Sequence, residues 1–207
     1  MTPTAPATTH LLYLHGFRSS PQSAKARVMA AWMAEHRPDV VWCCPQLPPS
    51  PAGALALISE LTRDWPADTT SVVGSSLGGF YATVLAEARG CRALLLNPAV
   101  NPARDLTKHI GETTQWHSDE AFFFRPEFVD ELRAMAPAAI TRPERYGAVI
   151  AQGDEVLDWR EMAARYVGSD LRIHEGGDHA ISDFEPVHLP GCVAFLGLAG
   201  PIADAGS

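Results

Sequence analysis

"TTSVVGSSLGGFYATVLAEARG", residues 69–90, is the stretch whose reading decides the fold. Its first residues, with Thr69, Thr70, Val72 and Val73, are β-branched and predict a short strand. From Leu77 onward the spacing is helical, and Gly90 supplies a stop. Between the two lies Gly74-Ser75-Ser76-Leu77-Gly78, the pattern G-x-S-x-G at a strand-to-helix turn, where a nucleophile elbow is built. Glycines lacking Cβ let strand and helix pass closely while the central serine takes a strained backbone conformation. Ser76 then projects above the C-terminal edge of the sheet, and Ser75 points elsewhere. The Leu77 amide falls at a helix N-terminus, where N–H groups lack intrahelical partners and can donate to developing negative charge. The blander reading is a Gly/Ser turn whose hydroxyls satisfy nearby backbone. Partners elsewhere in the chain separate the two.

Working outward, strands and helices alternate. "HLLYLHGF" predicts a strand over His10–Leu14 whose apolar character suits cover on both faces. "SSPQSAKARVMAAWMAEHR" predicts a helix capped by Ser19 or Ser20, with Val28/Trp32 and Met29/Met33 as core-facing pairs. "DVVWCCP" reads as a strand, "PQLPPSPAG" as a loop, and "AGALALISELTRDW" as a helix with Leu55, Ile58, Leu61 and Trp65 on one stripe. "CRALLLNPAV" is a strand ending near Asn97. "RYGAVIAQGD" and "SDLRIHEGG" are strands separated by the helix "DWREMAARYVG", and "LPGCVAFLGLA" is the last helix. This alternation predicts an α/β fold: a single domain over residues 1–207 with a mostly parallel sheet between helical layers. Residues 101–145 break the pattern and read as two short helices and a loop, a small insert placed to act as a cap. "AFFFRPEF" and Trp116 are expected either to line an acyl cleft or to pack on the sheet.

Composition narrows the function classes. With Lys+Arg 16 against Asp+Glu 24, the net charge is -8, and no basic excess exists to neutralise a nucleic-acid backbone. Hydrophobic residues make up 46% and charged residues 19%, a globular balance. "MTPTAPATTH" lacks the pattern of a signal peptide, and no apolar stretch reaches membrane-spanning length. Cys43 and Cys44 are adjacent, so on a strand they face opposite sides, while Cys91 and Cys192 stand alone; neither a redox nor a metal-ligand spacing is present. A cytoplasmic protein with reduced thiols is expected. Neither a G-x-G-x-x-G nor a Walker motif occurs, so no cofactor is expected.

A nucleophilic serine needs a histidine to take its proton and a carboxylate to fix that histidine's tautomer. In an α/β-hydrolase arrangement the order is Ser, acid, His. After Ser76 come His109, His117, His174, His179 and His188. His179 stands in "EGGDHAISD", a glycine-rich loop after the last strand, and is the expected base. His174 alternates within that strand and is expected to pack; His188 lies in a Pro-bounded loop; His109 and His117 belong to the insert. For the acid, "AVIAQGDEVLD" offers Asp154, Glu155 and Asp158, with Asp178 and Asp183 further on. Asp154 follows the strand–glycine turn directly and is preferred. Glu155 is expected to point away from the histidine loop, and Asp158 is a natural helix N-cap. The loop "LHGF" should supply a second oxyanion donor, with Phe17 N–H the candidate. His15 is expected to shape that turn rather than move a proton.

These motifs together resemble the small bacterial YqiA/YcfP-type esterases of the α/β-hydrolase superfamily. The matching stretches are "YLHGFRSSPQSAKA", "VGSSLGGFYA", "LLNPAVNP", "GDEVLD" and "EGGDHA", spread from residue 11 to about residue 184. The resemblance implies a serine esterase with no cofactor or metal, acting on a small acyl ester. It implies Ser76 as nucleophile, Asp154 as acid and His179 as base, with the Phe17 and Leu77 amides as oxyanion hole. An acyl thioesterase with the same machinery, an amidase, and a non-catalytic binding protein on the same scaffold are the alternatives. One departure is expected: the chain reaches the strand before "HGF" almost at once, so the two antiparallel strands that usually lead the superfamily's sheet are missing, leaving about six parallel strands.

Overall fold

The computed structural model describes residues 6–114 and 121–199. The chain runs β1 (His10–Leu14), α1 (Ala24–His36), β2 (Val41–Cys43), α2 (Pro51–Leu61), β3 (Thr70–Ser75), α3 (Leu77–Arg89) and β4 (Arg92–Leu96). An insert follows, with α4 (Pro102–Asp105), the antiparallel hairpin β5 (Gly111–Thr114) and β6 (Ala121–Phe124), and α5 (Pro126–Met135). The alternation resumes with β7 (Tyr146–Ala151), α6 (Trp159–Arg165), β8 (Asp170–His174) and α7 (Leu189–Phe195). Six strands form one sheet in the order β2-β1-β3-β4-β7-β8, and every neighbouring pair is parallel.

The period of two in the strands sorts side chains to the two faces. Leu12, Leu14, Val72, Leu95, Ala148 and Ile150 pack with Ile58 of α2, Leu85 of α3, Leu132 of α5 and Met162 of α6. Leu11, Tyr13, Val73, Leu94, Leu96 and Val149 pack with Met29 and Met33 of α1 and Cys192 and Val193 of α7. Fully burying a side chain of this size contributes roughly 1.5–3 kcal/mol. Cys43 and Cys44 fall on opposite sides, against the two different clusters, and all four cysteines are free thiols. No described helix is long and apolar enough to cross a membrane.

Two expectations need correction. The cap of α1 is Ser23, not Ser19 or Ser20, because a turn through residues 19–23 (Ser23 N–H to Ser20 carbonyl, 3.0 Å) delays the helix. The insert holds a hairpin in addition to its helices. Among the described residues that hairpin pairs only with itself, and its two strands are four residues each, one of them the polar Gly111–Thr114, too short and too mixed to read as strands of the main sheet. The insert is anchored by Glu131 of α5, whose carboxylate accepts from Ser50 Oγ (3.0 Å) and Ala52 N–H (2.8 Å) at the start of α2.

Chain order reverses between β1 and β3: the chain leaves β1 for the edge strand β2, then crosses back to β3 on β1's other side. Crevices open outside the C-terminal ends of strands at such a switch point. The loops after β1 and β3 flank it, and they carry Phe17 and Ser76.

Candidate active site

Ser76 is the one residue between β3 and α3, with φ 54° and ψ -120°. Left-handed φ at a non-glycine residue costs on the order of 1–3 kcal/mol and persists only where surroundings hold it. Here the Ser76 N–H donates to Leu96 O (3.0 Å), and its carbonyl accepts from Gly79 (2.9 Å) and Ala99 (3.0 Å). The flanking glycines are required by contact. A Cβ on Gly78 would lie 2.0 Å from the Leu14 carbonyl oxygen, and one on Gly74 2.3 Å from that of Gly78. The half-buried Ser76 side chain is thereby held out at the sheet's end.

His179 Nε2 stands 3.0 Å from Ser76 Oγ, and its Nδ1 2.8 Å from Asp154 Oδ2. The other Asp154 oxygen accepts the backbone N–H groups of Val156 and Leu157, both at 2.8 Å, and the side chain is fully buried. A carboxylate so surrounded is an acceptor only, so His179 Nδ1 carries the proton and donates it toward Asp154. The Nε2 lone pair is then left for the Ser76 hydroxyl. The structure thus brings Ser76, His179 and Asp154 into one hydrogen-bonded chain. Asp158 is instead the N-cap of α6, accepting from Arg160 N–H at 2.9 Å.

Glu155 does not point away from the histidine loop, as expected from sequence; its Oε2 accepts the His179 backbone N–H at 2.9 Å. The two turns are zipped together by Gln152 N–H to His174 O (2.9 Å) and Gly153 N–H to Gly176 O (2.8 Å), so a longer carboxylate reaches across. Asn97, fully buried at φ 43°, holds the same loop from the other side. Its Nδ2 donates to the carbonyls of Asp178 (3.0 Å) and His179 (3.2 Å), and its Oδ1 accepts from Ala151 N–H (2.8 Å). Sequence reasoning saw Asn97 only as a strand end. Lys25 of α1 donates to the Ala180 carbonyl; burial lowers its pKa to about 8, against the opposing pull of Asp178 and Asp154.

Phe17 and Leu77 face the same crevice. The loop after β1 abuts the serine so closely that a Cβ on Gly16 would sit 3.2 Å from Ser76 Cβ. Leu77 opens α3, ahead of the intrahelical ladder. His15 is buried, with Nδ1 donating to Gly16 O and Nε2 accepting from Leu47 N–H, both at 3.0 Å. Both ring nitrogens are engaged in shaping the turn, and burial lowers its pKa.

A cavity of about 220 Å³ opens onto Ser76 and His179. Its walls are chiefly apolar: Phe17, Leu77, Ala99, Pro102, Leu106, Val156 and Leu157, with Asp105, Lys108 and His109 at the insert side. One residue of the insert's aromatic run, Phe124, packs behind this wall. Phe124 is buried edge-on against Phe17 (5.3 Å) and Phe128 (5.5 Å), and Phe123 is exposed. Trp116 lies outside the described residues.

Comparison with known proteins gives a family and a fold. Residues 10–197 match the uncharacterised protein family UPF0227. A protein of Agrobacterium vitis S4 superposes with a TM-score of 0.71 at 16% identity, covering 92% of this chain and 91% of that one. Mouse alpha/beta hydrolase domain-containing protein 10 superposes at 0.66, with 18% identity and coverage of 94% and 88%. Est1E from Butyrivibrio proteoclasticus superposes at 0.69, with 14% identity and coverage of 92% and 87%, and Est1E has also been solved with ferulic acid bound. At these identities the likeness is one of architecture: this is the α/β-hydrolase fold.

Proposed function

The chain belongs to the UPF0227 family, and on that premise we propose that it is a serine esterase that hydrolyses small carboxylic esters through a covalent acyl-enzyme. The observation that carries the reading is the relay Ser76–His179–Asp154, with contacts of 3.0 and 2.8 Å. Ester chemistry on the same architecture is consistent with ferulic acid, a carboxylic acid, occupying Est1E.

In the proposed cycle Ser76 Oγ attacks the ester carbonyl as its proton passes to His179 Nε2. Asp154 holds the ring in the productive tautomer and stabilises the imidazolium. The amides of Phe17 and Leu77 donate to the oxyanion; loss of one such donor costs about 3–4 kcal/mol of barrier. The imidazolium returns its proton to the leaving alcohol, the acyl group remains on Ser76, and His179 then activates water to release the acid. The acyl chain lies in the apolar cavity, and residues 101–145 act as a small cap over it.

A panel of graded acyl esters and thioesters, run on wild type and Ser76→Ala, tests the reading. Ester turnover falls at least about 10³-fold in the variant, and covalent labelling by a fluorophosphonate disappears while the fold stays intact. Retention of both in Ser76→Ala sinks the assignment. Wild type that takes no label and turns over no acyl donor would leave a binding protein.

A further inference from the structure

Three side chains that the proposed reaction leaves unused converge on the far side of the histidine loop. They are His174, the last residue of β8, Asp183, beyond the loop, and His188, which leads into α7. Two imidazoles and a carboxylate, each offering one ligand atom, lie with those atoms all within 4.8 Å of one another. His174 Nε2 is 3.3 Å from Asp183 Oδ2, and His188 Nε2 is 3.4 Å from Asp183 Oδ1. In tetrahedral coordination with bonds near 2.1 Å, ligand atoms are spaced about 3.4 Å apart.

A second observation points inward. His188 is only 8% exposed, and its buried Nε2 makes no hydrogen bond of normal geometry among the described residues; Asp183 Oδ1, at 3.4 Å, is a long ion-pair contact. A buried ring nitrogen held by so long a contact is only weakly satisfied, which calls for an explanation. His174 and Asp183 are about one-third exposed, leaving an open side for entry and for water ligands. The two histidine rings meet edge to face at 5.0 Å, so both nitrogens can turn to one point. Arg172, on the same strand, is drawn to Asp170 at 2.8 Å.

We propose that His174, Asp183 and His188 form a binding site for a divalent transition metal, with zinc the best match to two imidazole nitrogens and one carboxylate oxygen. His174 and Asp183 stand at the two ends of the segment that carries His179. A bound ion would therefore clamp that segment at its base and fix it to α7. The site positions the loop; it takes no part in the acyl transfer and does not depend on the esterase reading.

The test uses the full chain, free of any tag and stripped with chelator. Zinc chloride is titrated by calorimetry, and cobalt(II) is followed by its visible d–d absorption. Wild type should take up one equivalent of either ion, and zinc should raise the thermal midpoint, as any ligand of the native state does. His174→Ala and Asp183→Asn, both at positions about one-third exposed, should fold, bind zinc at least about tenfold more weakly and lose most of the thermal shift. Absence of stoichiometric uptake by wild type overturns the proposal. So does equal affinity in wild type and both variants, which would locate the ion on other histidines.

Discussion

Asn97 carries no charge, yet it holds the histidine loop against the sheet. Its amide binds two carbonyls of the histidine loop and one N–H of β7, so it sets the position of His179 relative to Ser76. Asn97→Ala should lower kcat by about 10- to 100-fold with KM little changed, because loss of positioning acts on the transition state. It should also cost about 1–3 kcal/mol of stability, since buried groups lose their partner; steady-state kinetics and denaturant unfolding measure the two effects separately. Residues with a chemical signature were legible in the sequence: a serine between glycines, a histidine in a glycine-rich loop, an acid just after a strand. Asn97 had no such mark, because its task is defined by three backbone atoms that come from distant segments. Glu155 was misread for the same reason. Its direction depends on how two loops are zipped together, and no local pattern encodes that.

The central elements were legible because each obeys one period. Strands β1, β3, β4 and β7 are short runs buried on both faces, and α2 repeats at helical spacing. The insert obeys none for long enough, so its hairpin was missed. What the insert adds is a wall: Pro102 and Leu106, in and just after α4, close one side of the cavity at Ser76. Leu106→Trp should therefore fill the space an acyl chain occupies. On the graded ester panel, kcat/KM for the longer chains should fall about tenfold or more, while acetyl esters change little, in line with the effect of pocket size on discrimination. A uniform fall across all chain lengths would instead mean that the serine itself had been disturbed.

The molecule as a whole carries a pH dependence that begins at His15. Burial holds its pKa below the ordinary 6.5, while in the unfolded chain the ring is free to protonate at that value. Between the two pKa values the unfolded chain binds more protons, so this contribution is complete above about pH 6.5 and is lost as pH falls below it. Wild type should lose denaturant stability between pH 7 and pH 5, and His15→Gln, which does not titrate, should lose less over the same interval. The fold also partitions its chemistry along one line. Ser76, Phe17, Leu77 and Asn97 belong to segments before the insert, and Asp154, Glu155 and His179 to segments after it. Of the two contacts of the relay, Ser76–His179 therefore crosses the seam where β4 meets β7, and His179–Asp154 lies wholly beyond it. A chain cut within the hairpin would divide into two halves, one holding the alcohol and the other the base and its acid. On the proposed mechanism neither half alone would turn over ester, and turnover on mixing them would report the rejoining of a parallel sheet.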